Sequence, residues 1–216
     1  MRIHRDGWVY IAIAGVLNIA LFAFTGLWGL ILLPVTVWVV AFFRDPDRTP
    51  PPGDALILSP ADGRLLKPVT AVPPEELGLG PVPMLRLSIF MNVFNVHVNR
   101  IPCNGTVTRL AYRPGKFFNA SFDKASEHNE RLSVRLAAQR PNGTLVDLVF
   151  VQIAGLVARR IGSDLKEGQS VCRGDRFGII RFGSRVDVYL PPATRVLVTE
   201  GQIVCAGETA LAEFQD

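Results

Sequence analysis

Arg176-Phe-Gly-Ile-Ile-Arg-Phe-Gly-Ser-Arg-Val-Asp-Val-Tyr-Leu-Pro191 is the stretch on which the fold reading turns. Two apolar runs, Arg176 to Phe182 and Arg185 to Leu190, flank the pair Gly183-Ser184. In Val186-Asp-Val-Tyr-Leu190 apolar residues fall at every second position, the pattern of a half-buried strand, and glycine at the junction permits a sharp link between the runs. Leu132-Ser-Val-Arg-Leu136 alternates in the same way. Further strands are expected over Ala55 to Leu58, Met84 to Phe90, Thr106 to Tyr112, Arg131 to Ala138, Thr144 to Ile153 and Arg195 to Thr199. Turn pairs such as Asp62-Gly63, Asn104-Gly105, Asn142-Gly143 and Glu200-Gly201 punctuate them. Many short strands with regular turns imply a mainly β barrel or sandwich rather than a βαβ fold.

The C-terminal segments Leu165-Lys-Glu-Gly-Gln-Ser-Val and Val198-Thr-Glu-Gly-Gln-Ile-Val-Cys-Ala-Gly-Glu-Thr are similar to the folded-ribbon core of biotinyl and lipoyl carriers. The expected architecture is therefore a barrel-sandwich, lipoyl-like β core over residues 54–216. Ahead of it, no side chain from Trp8 to Phe43 is charged. As one helix this segment would run some 50 Å, against about 30 Å for a bilayer core. Gly26, Gly29 and Pro34 interrupt it, so residues 1–43 are expected to form a membrane-associating helical hairpin. The run is too long for a cleaved signal peptide, and no small-residue cleavage site follows it. Arg2, His4 and Arg5 before it, and Arg44 and Arg48 after it, put both ends on the cytoplasmic face of the cell membrane by the positive-inside bias. Residues 44–53, rich in proline, mark the connector between the two parts.

The net charge of +4, with no dense Lys/Arg stripe, argues against nucleic acid as a partner. Cys103, Cys172 and Cys205 are odd in number and widely spaced, which implies reduced, buried thiols. His4, His97 and His128 are the only histidines, and none stands at metal-ligand spacing from another, so no metal site is expected.

Gly183-Ser184 is the pair with the most chemistry in it. A serine hydroxyl can attack the carbonyl before it, the resulting ester can eliminate to dehydroalanine, and hydrolysis leaves a pyruvoyl group on the new chain end. An ordinary turn explains the dipeptide equally well. Gly162-Ser163, followed by Asp-Leu-Lys-Glu-Gly, reads as plain loop. The elbow pattern Gly-x-Ser-x-Gly is absent around Ser184, which argues against a hydrolase nucleophile. His97, in the apolar, asparagine-studded run Phe90 to Gly105, is either a hydrogen-bonded structural residue or a proton carrier. Asp62, in Ser59-Pro-Ala-Asp-Gly63, is either a turn residue or a carboxylate that orients a histidine or helps deprotonate a serine. The stretch Pro114 to Arg131, with three phenylalanines, Lys116 and Lys124, can present apolar groups to acyl chains and cations to a phosphate, and His128 within it reads as solvated. Asp123-Lys124-Ala125 matches the lipoyl-attachment triplet, and a membrane-tethered carrier without catalysis is the alternative it raises.

Taken together, Ser59-Pro-Ala-Asp-Gly63, Phe94-Asn-Val-His97 with Pro102-Cys-Asn-Gly105, Pro114-Gly-Lys-Phe through Asp123 to Arg131, Gln152-Ile-Ala-Gly through Ile161, and Arg176 to Pro191 resemble the short, bacterial and archaeal form of phosphatidylserine decarboxylase. The likeness runs from about Asp45 to near the C-terminus. It implies a proenzyme that cuts itself between Gly183 and Ser184 into a β chain, 1–183, and an α chain, 184–216, which pair as a heterodimer. Ser184 would become the covalent pyruvoyl cofactor, which forms a Schiff base with phosphatidylserine in the membrane and takes up the electrons released with carbon dioxide, giving phosphatidylethanolamine. Catalytic roles then fall to Gly183, Ser184, His97 and Asp62, with His97 as the proton donor. One position departs from the pattern. Longer relatives carry two histidines before Pro-Cys-Asn-Gly; the first matches His97 and the second, the relay histidine of self-cleavage, aligns with Arg100. Asp62 matches the relay aspartate, and His97 is left either to serve decarboxylation or to substitute in cleavage through a rearranged geometry.

Overall fold

The structure, a computed structural model, describes residues 2–115, 129–155, 161–181 and 183–215. Among them the fold is mainly β, with an apolar helical segment at the N-terminus. Ser170–Val171, Gly105–Arg113, Arg131–Gln139, Leu145–Ala154, Ser184–Leu190, Met84–Met91, Gly63–Leu65 and Ile203–Val204 lie side by side in that order in one curled antiparallel sheet. Val69–Ala71 pairs with Met84–Met91 as well. Two smaller sheets close over it, one of Ile161–Ser163, Arg176–Ile180 and Val98–Arg100, the other of Thr194–Val196, Ala210–Phe214 and Leu56–Leu58.

The expected strands are present, with ends shifted by one to three residues. The structure adds several of two or three residues, such as Gly63–Leu65 and Val98–Arg100, which are too short to show a period. Ser184–Leu190 differs from its half-buried reading, because all of its residues are buried. Val186, Val188 and Leu190 face a core shared with Leu87, Ile89 and Phe150, and Tyr189 joins a second cluster with Val149 and Val151. The alternate polar positions are filled by an ion pair: Arg185 Nε and Nη2 meet the two oxygens of Asp187 at 2.6 and 2.8 Å. Gly162-Ser163 also departs from its loop reading, since both residues pair with Ile179 and Gly178 inside a strand. Cys103 is buried, and burial pushes its thiol up to about 12, but Cys172 is exposed and Cys205 only half-buried. Turn-like sequence around Cys172 places it outside the core.

The apolar segment folds as a hairpin. Helix α1 (Gly7–Thr25) is about 28 Å long, a 3-10 stretch Gly26–Leu32 turns the chain, and helix α2 (Leu33–Phe42) returns. Gly29 permits the turn, because a Cβ there would fall 2.2 Å from the Phe22 backbone. At the open end His4 N–H donates to Phe43 O at 2.9 Å, and Arg2–Ile3 pairs with Arg44–Asp45. Val9, Val16, Ile19, Phe24, Trp28 and Ile31 stay exposed along the outside of the hairpin. Its inner end is different: Phe42 and Phe43 are fully buried in a cluster with Val96, Val98 and Ile179.

The proline-rich stretch 44–53 is a strap bound to the β core. Asp45 accepts from Arg176 Nε at 2.8 Å, Arg48 reaches Asp62 and Glu208, and Arg173 donates to Pro51 O at 3.0 Å and to Gly53 O. Hairpin and core are thus joined by packing as well as by chain. Phe42→Ala is expected to lower the unfolding free energy by about 3–5 kcal/mol, read by denaturant titration.

Candidate active site

Ser184 begins the central strand, opposite Ala154 on one neighbour and Met91 on the other. The residue before it, Gly183, has φ +74°, a left-handed backbone that favours glycine. Its carbonyl accepts the Gly155 N–H at 3.1 Å, and its own N–H donates to His97 Nε2 at 3.4 Å. The Ser184 hydroxyl, fully buried, donates to the Met91 thioether at 3.2 Å. A thioether is a weak acceptor, so this hydroxyl is lightly held. Behind Met91, Asn99 Nδ2 lies 3.8 Å from the same sulfur, and Gln152 Nε2 donates to Asn99 Oδ1 at 2.8 Å.

His97 is completely buried, with its Nδ1–H on Asn95 O at 2.9 Å. That bond assigns the proton to Nδ1 and leaves the Nε2 lone pair facing Gly183. The Phe42 ring packs over the imidazole, with centroids 4.2 Å apart. Burial lowers its pKa to about 4, with Arg44 adding to the effect and the Asn95 carbonyl opposing it. At neutral pH His97 is therefore an uncharged proton acceptor.

Asp62 is engaged elsewhere. One carboxylate oxygen accepts from Arg48 at 2.9 Å and the other from the Ala206 N–H at 2.7 Å. Among the described residues it bonds to neither His97 nor Ser184. Burial raises its pKa, against the pull of the Ala206 amide and Arg48. Arg100 donates to Gly174 O and Pro46 O, both at 2.8 Å, and fastens the strap to the core. The structure brings together Gly183, Ser184 and His97. Sequence reasoning did not single out Met91, Asn95, Asn99, Gln152 or Gly155; two of these act through backbone atoms, which carry no side-chain signal.

The readings of Lys116, Lys124, His128 and the triplet Asp123-Lys124-Ala125 lie outside the described residues. A cavity of about 570 Å³ lined by Met84, Leu145, Asp147 and Leu190 opens at the other end of the Ser184–Leu190 strand and shares no residue with this cluster.

A family model described as phosphatidylserine decarboxylase matches residues 35–212. The chain belongs to the phosphatidylserine decarboxylase family. It is 54% identical to the phosphatidylserine decarboxylase proenzyme of Azorhizobium caulinodans over 212 residues, 98% of this chain and 89% of that one. The proenzymes of Rickettsia akari and Rickettsia felis are also 54% identical, over 98% of this chain and 90% of theirs. The family match takes in most of the hairpin's return helix, the strap and the whole Gly183-Ser184 cluster.

Neutral, buried His97 has a thermodynamic signature. Its folded pKa, about 4, lies below the ordinary 6.5, so the unfolded chain binds the proton first as pH falls. This contribution to stability is complete above pH 6.5 and is lost as pH drops toward 4. Denaturant titrations of uncut protein across that window are expected to show a shallower decline in His97→Gln.

Proposed function

We propose that this chain decarboxylates phosphatidylserine to phosphatidylethanolamine after cutting itself between Gly183 and Ser184, with Ser184 becoming a pyruvoyl group at the head of the fragment 184–216. The observation that carries the reading is the Gly183-Ser184 junction. A left-handed glycine presents its carbonyl to one N–H donor, and a buried serine follows it whose hydroxyl meets, among the described residues, the weak acceptor Met91. The relatives, phosphatidylserine decarboxylase proenzymes, support the same reading.

These residues fit the group. Attack of Ser184 Oγ on the Gly183 carbonyl carbon closes a five-membered ring through the serine's own backbone, so no other side chain has to deliver the nucleophile. The negative charge then grows on the Gly183 oxygen, which the Gly155 N–H already meets. Once the hydroxyl turns from Met91 and Nε2 gives up the Gly183 N–H, His97 Nε2 takes the hydroxyl proton, and the Asn95 carbonyl holding Nδ1–H steadies the imidazolium that results. Asp62 acts in this step only after releasing Arg48, since both of its oxygens are engaged in the precursor.

A pyruvoyl ketone supplies an electron sink for the pair left when carbon dioxide departs. In the mature enzyme His97 has a second task at the same atom. It accepts at Nε2 the proton that the substrate ammonium must shed, then returns it to the carbon that has lost carbon dioxide. Met91 and Phe42 keep the site apolar and limit the entry of water. The exposed hairpin seats the protein in the cytoplasmic face of the cell membrane, where a two-chain lipid can reach the junction.

Purified protein is expected to contain fragments 1–183 and 184–216, the second with a blocked N-terminus and the mass of a pyruvoyl group, by intact mass spectrometry. Ser184→Ala is expected to stay full length. Vesicles holding carboxyl-labelled phosphatidylserine should release labelled carbon dioxide with wild-type protein only. Activity on free serine but not on vesicles would defeat the lipid assignment.

A further inference from the structure

One root of the apolar hairpin is tied to Arg181, two residues before Gly183, and the other to residues that meet Gly183. At the first root, Arg181 Nη2 donates to Asp6 Oδ2 at 2.7 Å and Nη1 to the Tyr10 hydroxyl at 3.0 Å. The guanidinium also sits 5.6 Å from the centroid of the Tyr10 ring. At the second root, Trp38 Nε1–H donates to Val93 O at 3.3 Å, and a Cβ on Gly183 would meet Val93 Cγ1 at 3.9 Å. Phe42, at the end of the same helix, covers His97. Tyr10 and Phe43 stack at 5.3 Å and tie the two roots together.

Arg181 holds a telling position. The strand Arg176–Ile180 has just ended, and Ser184–Leu190 has not begun. Side-chain bonds at Arg181 therefore hold the chain two residues ahead of Gly183. Among the described residues its polar partners, Asp6 and Tyr10, both belong to the hairpin root, and its buried Nε has none. The approach to the Gly183 carbonyl at the Gly155 N–H, and to the Gly183 N–H at His97, is thus tied to a segment far away in sequence.

We infer that Asp6 and Tyr10 are positioning residues for self-cleavage, acting through Arg181, so that the precursor matures only when the hairpin root is docked on the β core. The membrane segment is then part of the cutting machinery as well as a tether. This inference rests on the proposed cut at Gly183-Ser184. It gives a role to the Asp6–Arg181 contact, which is largely buried where the Arg5–Asp164 pair at the same root is exposed.

The test is the rate at which fragment 184–216 appears when the full chain is synthesised in vitro with vesicles of phosphatidylcholine and phosphatidylglycerol. Asp6→Asn is expected to slow the cut about tenfold, and Asp6→Glu, which keeps the carboxylate, to stay within about threefold of wild type. Asp164→Asn breaks the neighbouring Arg5–Asp164 pair at the same root without touching Arg181, and should cut at the wild-type rate. A wild-type rate in Asp6→Asn overturns the inference, as does equal slowing in Asp164→Asn. If Asp6→Asn aggregates, Tyr10→Phe replaces it: slowing supports the latch, and an unchanged rate overturns it. A wild-type chain that yields no 184–216 fragment defeats the cleavage reading itself, whereas normal cutting with indifferent variants defeats the latch alone.

Discussion

Burial of the Ser184–Leu190 strand on both faces is the constraint on which the rest of the molecule depends. Its apolar positions fill two cores, and its remaining polar positions hold Arg185 and Asp187 against each other without access to water. Asp187 also meets Arg86 of Met84–Met91 at 3.8 Å, so a slip in register would part buried charges, which is ruinous to stability. That register brings Ser184 opposite Met91 and Ala154, and so brings Gly183 within reach of Gly155 and His97. Site geometry is a by-product of sheet geometry.

The same burial sets the chemistry of His97. An imidazole in contact with Phe42 and cut off from solvent rests uncharged at neutral pH, and its one internal donor is committed to Asn95. What remains is a single lone pair aimed at the junction. The hairpin therefore influences the site twice, through the aromatic cover on the histidine and through the ion pair on Arg181.

The long strands were legible because alternation needs only four or five residues to register, as in Val186 to Leu190. Gly63–Leu65 and Val98–Arg100 were not, since three residues cannot display a period and their pairing comes from distant partners. Gly183, Ser184 and His97 stood out as residue types with chemistry in apolar surroundings. Gly155 and Asn95 did not, because they contribute an N–H and a carbonyl that every residue possesses. The engagement of Asp62 by Arg48, and the anchoring of the proline-rich strap, depend on contacts that only folding creates. The hairpin was visible as hydrophobicity, while the fit of its inner end against the β core comes from contacts of Phe42 and Phe43 with residues distant in sequence.

The place of Ser184–Leu190 between two long strands also decides what a cut at its head would mean for the assembled molecule. Everything after the cut is woven into the domain: this strand runs between Leu145–Ala154 and Met84–Met91, and Ala210–Phe214 runs between Thr194–Val196 and Leu56–Leu58. The severed piece could not leave without dismantling both sheets. Each molecule would then keep for life the chain end it made, with no exchange between copies, and a copy that failed to cut could not borrow a working end from its neighbour.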